Sequence, residues 1–297
     1  MGQINESACH ALMKQPRRLT MLIAQITDIH LTPDGVFAQG KIQTEEQFAQ
    51  VLAAIKQLKP QPDVLLFTGD IADNKQPVAY EKFRRMITGI GIPCYLIPGN
   101  HDDRAMLRAA FPDHPGMSAR TGEDFIQYAI DEDFPVRLIG LDTHRPDNDK
   151  GDLSAEKLAW LEETLSEQPD KPTLIFMHHP PFLTGIDEMD YYNLAGTEAF
   201  ADLLQRHKQV VRIICGHVHR SIQTVFAGVL TSVAPACAFT QALGLGPDGA
   251  QGFILEAPKY ELHLWNDRDN FISHTVNLEY NSGAFVYPTH DAGFASR

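Results

Sequence analysis

An apolar run that begins at Cys94 ends in Ile97-Pro98-Gly99-Asn100-His101-Asp102. Pro and Gly commonly end a strand, so the amide, imidazole and carboxylate that follow are predicted to lie at its C-terminal end. Taken alone, these three polar residues are equally consistent with an ordinary turn, because Asn and Asp favour turns. Four other apolar runs end in a similar way, and this repetition favours a functional interpretation.

The four further runs predict buried strands whose ends carry polar side chains. The runs and the residues that follow them are Met21–Thr27 with Asp28 and His30, Val64–Phe67 with Asp70, Thr173–Met177 with His178 and His179, and Val210–Cys215 with His217 and His219. Helical segments separate the runs, which predicts a largely parallel sheet with these ends along one edge. Because side chains alternate along a strand, Asp28 and His30 are expected to point the same way.

Apolar periodicity predicts helices at about 43–58, 77–88, 103–110, 155–166 and 197–207. Thr44 and Gln47 have the spacing of a capping box at the first helix. Asp102 and Ser154 are predicted to cap the third and fourth helices, because each precedes a helical pattern with a side-chain oxygen.

The rest of the chain is predicted to be rich in strands and loops. An antiparallel pair is expected at 125–130 and 136–141, and short strands near 221–226, 229–234, 252–256, 259–265 and 270–277 are expected to complete a second sheet. We predict a mobile N-terminal extension at residues 1–20, a catalytic domain at 21–279 and a C-terminal tail at 280–297.

Composition narrows the class of protein. The 297 residues carry a formal net charge of −13, which argues against a nucleic-acid partner, because phosphate backbones require clustered Lys and Arg. A small anionic substrate would therefore need local positive charge, such as a metal. The four cysteines are scattered, which favours reduced thiols and a cytoplasmic protein. No apolar run of about 18 residues and no signal peptide are found, so no membrane association is expected.

The predicted cluster consists of carboxylate, imidazole and amide groups without thiolate. This set favours borderline divalent ions such as Mn, Fe, Co or Zn, and argues against a structural zinc site of the finger type. The seven candidates are Asp28, His30, Asp70, Asn100, His178, His217 and His219. They are too many for one ion that keeps an open position, and they suit two ions that share a carboxylate.

Together, the motifs at these strand ends resemble the full signature of the calcineurin-like metallophosphoesterase superfamily. The segments Tyr95–Pro98 and Met177–Pro181, together with Gly185-Ile186 and Met189-Asp190, further resemble bacterial class III cyclic nucleotide phosphodiesterases and the related glycerophosphodiesterases. The resemblance spans Met21 to about Glu279 and implies an α/β (α+β) fold, in which a two-sheet β-sandwich is flanked by helices and followed by a strand-rich C-terminal end.

The resemblance also implies roles for individual residues. One ion would be held by Asp28, His30 and His219, the other by Asn100, His178 and His217, with Asp70 bridging the two. His101 would be a catalytic residue that stabilises charge on the phosphate or protonates the leaving group. Asp73 would orient His101 or, alternatively, only cap its loop. Asn100, His101 and His219 would contact the substrate. His179 is expected either to support a ligand or to have a structural role. Tyr191, Tyr192 and Asn193 are candidates for the roof of the pocket, with packing of their own loop as the alternative.

The implied reaction is hydrolysis of a small phosphodiester by in-line attack of a metal-bridging hydroxide. The substrate would be a cyclic nucleotide such as 3′,5′-cAMP, or a glycerophosphodiester. A phosphomonoesterase or nuclease using the same metals, and a non-catalytic scaffold, are the alternatives. The 235–251 loop, with Leu243 and Leu245 among glycines, is a candidate contact for a homodimer.

Overall fold

The computed structural model describes residues 20–117, 125–131, 134–246, 248–268 and 270–279. The strands are β1 (Thr20–Ile26), β2 (Val64–Thr68), β3 (Cys94–Ile97), β4 (Tyr128–Ile130), β5 (Arg137–Leu141), β6 (Gly151–Asp152), β7 (Thr173–Met177), β8 (Leu194–Ala195), β9 (Val210–Cys215), β10 (Ile222–Phe226), β11 (Val229–Val233), β12 (Thr240–Gln241), β13 (Phe253–Ile254), β14 (Lys259–Asn266) and β15 (Asn270–Asn277). The helices are α1 (Thr44–Gln57), α2 (Pro77–Ile87), α3 (Arg104–Ala110), α4 (Ala155–Glu167), α5 (Asp187–Asp190) and α6 (Thr197–Arg206), with a 3-10 turn at Pro115–Met117. Except for Thr20, the predicted extension at 1–20 and the tail at 280–297 lie outside the described residues.

Two mixed sheets form the centre of the fold. The first has the strand order β15-β14-β1-β2-β3 and the second has the order β10-β11-β9-β7-β5-β4. β1, β2 and β3 are parallel to one another, as are β5, β7, β9 and β11. The prediction of one largely parallel sheet is therefore wrong, because the five strands that carry the polar ends are divided between two sheets. The predicted two-sheet sandwich flanked by helices is confirmed.

Alternate residues of the central strands face opposite layers. In the second sheet, Leu174 and Phe176 belong to the same buried cluster as β1, β2 and β3, so they pack between the sheets. Ile175 and Met177 instead belong to the cluster that contains the apolar faces of α4 and α6. Both faces of β7, the strand that carries these four residues, are therefore covered, which explains its continuous apolar sequence.

The C-terminal strands complete both sheets and not only a second one. β14 pairs antiparallel with β1, and β15 then forms the edge of the first sheet. The hairpin of β10 and β11 extends the second sheet through parallel pairing of β11 with β9. Two predicted strands are shorter than expected, because only Tyr128–Ile130 of 125–130 and Phe253–Ile254 of 252–256 are paired.

Side-chain caps differ from the predictions at two helices. Thr44 makes no capping bond, and its hydroxyl donates to the main-chain oxygen of His30 at 2.8 Å. Asp103, and not Asp102, caps α3 by accepting from Met106 N at 2.9 Å. The predicted cap of α4 by Ser154 is confirmed, since its hydroxyl accepts from Lys157 N. Among the described residues, no helix is both long and apolar enough to cross a membrane.

Candidate metal centre

The loops that follow β1, β2, β3, β7 and β9 converge at one edge of the sandwich. Main-chain hydrogen bonds join neighbouring loops, from Asp28 N to Gly69 O at 3.1 Å and from Gly216 N to His178 O at 3.0 Å. The structure brings all seven predicted metal ligands together here, and all seven are buried: Asp28, His30, Asp70, Asn100, His178, His217 and His219.

Five of these seven residues have a left-handed backbone. The φ angles of Asp28, His30, Asp70, His217 and His219 lie between 49° and 74°. This region is unfavourable for residues other than Gly and persists only where the surroundings enforce it, which is common at functional sites. The explanation by strand alternation is therefore wrong for Asp28 and His30, since β1 ends at Ile26 and both residues lie beyond it with a left-handed backbone.

Two glycines allow the loops to approach this closely. Gly69 has a φ of +94°, and a Cβ at this position would lie 2.4 Å from His178 Nδ1. A Cβ at Gly99 would lie 2.1 Å from Asp70 Oδ1. Both glycines stand directly before a predicted ligand, so any larger side chain would displace Asp70 or His178 from the cluster.

Four predicted ligands form a first group of donor atoms. Asp28, His30, Asp70 and His219 each place one such atom within 4.8 Å of the others. His219 Nε2 lies 3.2 Å from Asp28 Oδ1, and His30 Nε2 lies 3.6 Å from Asp70 Oδ2. Two carboxylates and two imidazoles at these separations form a donor set that suits a borderline divalent ion.

A second group forms around the amide oxygen of Asn100. Asn100 Oδ1 lies 3.0 Å from both His178 Nε2 and His217 Nδ1. Asp70 Oδ2 lies 3.4 Å from His178 Nε2, so a single carboxylate oxygen stands between the two groups. This is the arrangement expected of a bridging ligand.

Hydrogen bonds at the outer ring nitrogens fix the direction of the lone pairs. His178 Nδ1 lies 2.8 Å from the main-chain oxygen of Thr68, and His219 Nδ1 lies 3.0 Å from that of Phe239. His30 Nδ1 lies 3.1 Å from the Asp73 carboxylate. These partners only accept, so each Nδ1 carries a proton, and the Nε2 of each ring directs a lone pair into the cluster when the ring is neutral. Inward lone pairs and carboxylate oxygens fit a pair of cations.

The pKa values of the clustered side chains also favour a positive charge next to Asp70. Burial alone raises the pKa of Asp70, but the neighbouring histidines, His178 first, hold it well below the ordinary value. Burial lowers the pKa of His217 to about 3, and His178 lowers it further, so this ring stays neutral. Burial also disfavours a charged His178, yet the Asp70 carboxylate raises its pKa to about 9. Positive charge beside Asp70 Oδ2 is thus strongly favoured.

His101 lies beside the cluster and faces it from the third strand end. Its main-chain N donates to Asp70 Oδ1 at 2.9 Å, and its Nδ1 lies 2.7 Å from the main-chain oxygen of Asp73. The Asp73 carboxylate contacts His30 and not His101. Asp73 thus contacts His101 through its main-chain oxygen, while its carboxylate holds the ring of His30.

Two neighbours of the predicted ligands support the loops. The Asp102 carboxylate accepts from the main-chain N of Gly99, Ile71 and Ala72 at 2.9 to 3.2 Å, which ties the loop after β3 to the loop after β2. His179 uses both ring nitrogens, with Nδ1 2.9 Å from Thr143 Oγ1 and Nε2 3.1 Å from the main-chain oxygen of Asp149.

This geometry can be compared with known proteins. The sequence matches the model of the calcineurin-like phosphoesterase family over residues 21–221. The chain belongs to this family. It is 37% identical over 268 residues to a probable glycerophosphodiester phosphodiesterase of Arcobacter nitrofigilis, covering 90% of this chain and 97% of the relative. It is 32% identical over 242 residues to a cAMP/cGMP dual specificity phosphodiesterase of Mycobacterium tuberculosis, covering 78% of this chain and 74% of the relative.

Solved structures agree on the fold. A dimetal phosphatase from Danio rerio matches with a TM-score of 0.62 and 14% identity, covering 86% of this chain and 98% of that chain. At this identity the likeness concerns the fold alone. The resemblance inferred from the strand-end motifs is thus confirmed by the family match.

The calcineurin-like phosphoesterase has a cavity of about 270 Å³ over the metal-ligand cluster. Besides candidate ligands and His101, its lining comprises Gln39, Asp149, Glu188, Met189, Tyr192, Phe239 and Gln241. Two of these residues are acidic, and no Lys or Arg is among them. A larger cavity of about 450 Å³ lies beside α1, but none of the seven candidate ligands lines it.

Two loops of this phosphoesterase contribute residues to the cavity wall beside the candidate ligands. Glu188 Oε2 accepts from Gln241 Nε2 at 2.8 Å and from Gly252 N at 3.0 Å, which joins the segment around α5 to the β12–β13 hairpin. Of the three predicted roof residues, Tyr192 lines the cavity, whereas Tyr191 is exposed with the Lys150 ammonium over its ring. Glu188 and Gln241 were not predicted, because no motif marks them in the sequence.

Proposed function

We propose that this protein is a binuclear metal-dependent phosphodiesterase that acts on small phosphodiesters. The observation that carries the proposal is the position of Asp70 Oδ2, which lies 3.6 Å from His30 Nε2 in one donor group and 3.4 Å from His178 Nε2 in the other. One shared oxygen between two separate donor groups suits two ions held side by side.

The ligand sets follow from the two groups. One ion would be held by Asp28, His30 and His219, and the other by Asn100, His178 and His217, each with Asp70. Imidazole, carboxylate and amide donors suit Fe, Mn, Zn or Co. When bound, such a pair lowers the pKa of a coordinated water and neutralises charge on the phosphate oxygens.

His101 is the proposed proton donor to the leaving group. The bond from Nδ1 to the main-chain oxygen of Asp73 fixes the ring, and His101 lines the cavity beside the cluster. From this position the protonated ring can give its Nε2 proton to the departing alkoxide. Asp73 supports the reaction indirectly, because its main-chain oxygen holds His101 and its carboxylate holds His30. Asn100, His101 and His219 are proposed to contact the phosphate.

The substrate is proposed to carry a single charge at its phosphate. Asp149 and Glu188 line the cavity, so further negative charge on the substrate is disfavoured by repulsion. Relatives named as glycerophosphodiester and cyclic nucleotide phosphodiesterases support the same choice. We therefore favour glycerophosphodiesters and 3′,5′-cyclic nucleotides over monoesters and nucleic acid. The net charge of −13 further disfavours a nuclease.

The proposed setting is the cytoplasm, and the proposed assembly is a homodimer. Free thiols at Cys94, Cys215 and Cys237 support a reducing compartment.

Leu243 and Leu245 are 55% and 64% exposed, which supports the loop that carries them as the dimer contact. Sedimentation of the wild-type protein and of Leu245→Glu tests the contact, and a dimer in both would contradict it.

A substrate panel tests the proposed function. The protein is stripped with a chelator and reloaded with Mn, Co or Zn, and is then assayed on glycerophosphodiesters, cyclic nucleotides, nitrophenyl phosphate and single-stranded DNA. We expect metal-dependent turnover of one of the first two substrate classes. Turnover of the monoester or DNA alone would favour the corresponding alternative.

A further inference from the structure

A buried polar side chain joins the three strands that carry Asp28, Asp70 and His217. Gln25 lies on β1 and is fully buried. Its Nε2 donates to Thr68 Oγ1 at 2.9 Å and to the main-chain oxygen of Cys215 at 2.9 Å. Thr68 ends β2 in the first sheet, whereas Cys215 ends β9 in the second. Gln25 thus connects the two sheets directly beneath the metal-ligand cluster.

The opposite end of the same amide is also held. Gln25 Oε1 lies 3.0 Å from His263 Nε2 on β14. His263 Nδ1 lies 2.7 Å from Ser273 Oγ on β15, and Ser273 Oγ accepts from Arg212 Nη2 at 3.0 Å. A continuous chain of hydrogen bonds therefore leads from the strand ends to the far edge of the first sheet and back to β9.

Donor and acceptor roles in this chain have one consistent assignment. Both N–H groups of Gln25 are used on acceptors, so Oε1 must accept and His263 Nε2 must carry the proton. His263 Nδ1 then accepts from the Ser273 hydroxyl, whose lone pair accepts from Arg212. The ring must be neutral for this pattern, and burial lowers the pKa of His263 to about 3, with a smaller effect of Arg212 in the same direction. A flipped Gln25 amide would place its oxygen against the Cys215 oxygen.

We infer that Gln25 is a positioning residue that sets the spacing between the metal ligands carried by the first sheet and those carried by the second. It lies three residues before Asp28, and its two acceptors lie two residues before Asp70 and His217. Asp28 and Asp70 follow strands of the first sheet, whereas His217 follows a strand of the second, so the geometry of the site depends on how the sheets are held together. A fully paired buried amide is rigid, because any shift of one strand breaks a bond that water cannot replace.

The inference rests on the proposed metal ligands and not on the proposed substrate. Its test is therefore metal binding, measured by titrating chelator-treated protein with Mn²⁺ in a calorimeter. Gln25→Met keeps the length of the side chain but removes its hydrogen bonds. We expect the more weakly bound of the two ions to lose about tenfold in affinity, the lower end of the effect of removing a direct partner of a ligand, because Gln25 acts through Thr68 and Cys215.

A matched control separates positioning from general destabilisation. Thr231→Val on β11 also removes a buried hydroxyl, which bonds only to the main-chain oxygen of Val229 in the described structure. We expect this variant to bind both ions as the wild type does. The electron paramagnetic resonance spectrum of the two-manganese protein supplies a second readout, because the coupling between ions that share Asp70 depends on their separation. We expect it to change for Gln25→Met only.

Thr68→Val covers the case in which Gln25→Met does not fold. This isosteric change removes one of the two hydrogen bonds that Gln25 donates. It should lower the affinity for the more weakly bound ion by a smaller factor than Gln25→Met does. Wild-type affinity and an unchanged spectrum in a folded Gln25 or Thr68 variant would overturn the inference. Two bound ions without any phosphodiesterase activity would instead contradict the proposed function and leave the role of Gln25 standing.

Discussion

The Nε2 atoms of His30 and His219 lie 3.1 Å apart in the buried cluster. Each ring already donates from Nδ1, to the Asp73 carboxylate in one case and to the main-chain oxygen of Phe239 in the other. Two lone pairs therefore face one another at this point. Such a contact is unfavourable between two neutral rings, and a cation that both rings ligate converts it into a favourable one. The outer hydrogen bonds thus prepare the rings for metal binding.

Replacement of Asp70 should remove the bridge between the two donor groups. Asp70→Ala is expected to reduce the metal content from about two ions per chain to one or none and to abolish turnover, while circular dichroism shows a folded protein. Asp147→Ala, which removes an exposed carboxylate paired with Arg145, is the control and should keep both ions. Retention of two ions in Asp70→Ala, measured by elemental analysis, would contradict the bridging assignment.

Replacement of His101 should separate catalysis from metal binding. His101→Ala removes the proposed acid but no proposed ligand, so metal content should be unchanged while turnover falls by about 10²–10⁴-fold. The loss should be smaller for nitrophenyl esters, because nitrophenolate leaves without a proton. Assays of alkyl and nitrophenyl diesters side by side check this expectation. Equal losses for both would limit His101 to an electrostatic role.

The contact between Glu188 and the β12–β13 hairpin should affect substrate binding more than chemistry. Glu188→Ala removes the carboxylate that accepts hydrogen bonds from Gln241 and Gly252. The two loops that form this part of the cavity wall are then no longer joined. We expect KM for a singly charged diester to rise about three- to tenfold with little change in kcat, because the loss of the ordered wall outweighs the relief of charge repulsion on a monoanion. Glu163→Ala, an exposed change on α4, is the control. A fall in kcat at constant KM would place Glu188 in the chemical step.

Stability at acid pH should depend on His144. This ring is buried, and no hydrogen-bond partner for either ring nitrogen is found among the described residues. Burial lowers the pKa of His144 to about 4, while the Asp142 carboxylate acts in the opposite direction. Between pH 6.5 and 4 the unfolded chain binds a proton that the folded chain does not, so stability falls as the pH falls through this window.

The variant His144→Leu should lack this proton uptake. Between pH 6.5 and 4.5 the wild-type protein should lose about 2 kcal/mol more unfolding free energy than the variant, since one full proton per pH unit corresponds to about 1.4 kcal/mol and the uptake is only half complete at pH 6.5. Urea unfolding in the presence of a chelator at both pH values measures the difference. Parallel losses in the two proteins would show that His144 titrates normally in the folded state.

The sequence predicted which residues form the site better than it predicted their backbone conformation. All seven candidate ligands meet in space, because each follows a buried strand that fixes where its loop begins. The left-handed backbone at Asp28 and His30 was not predicted, since it depends on tertiary contacts with the neighbouring loop after β2. Thr44 and Asp102 were assigned to helix caps from local patterns, yet both side chains bond to the loops that carry predicted ligands. Gln25 gave no signal, because a lone Gln in a strand reveals nothing about its partners 43 and 190 residues away.

The preference between diesters and monoesters tests the central claim most directly. Two divalent ions beside the carboxylates of Asp28 and Asp70 leave a small positive charge, and Asp149 and Glu188 add negative charge to the same cavity. A monoanionic diester matches this field better than a dianionic monoester. The measurement is kcat/KM for bis(nitrophenyl) phosphate and for nitrophenyl phosphate at one pH with one reloaded metal. We predict a clear advantage for the diester that chelation abolishes. A clear advantage for the monoester, or activity that survives complete removal of metal, would contradict the account.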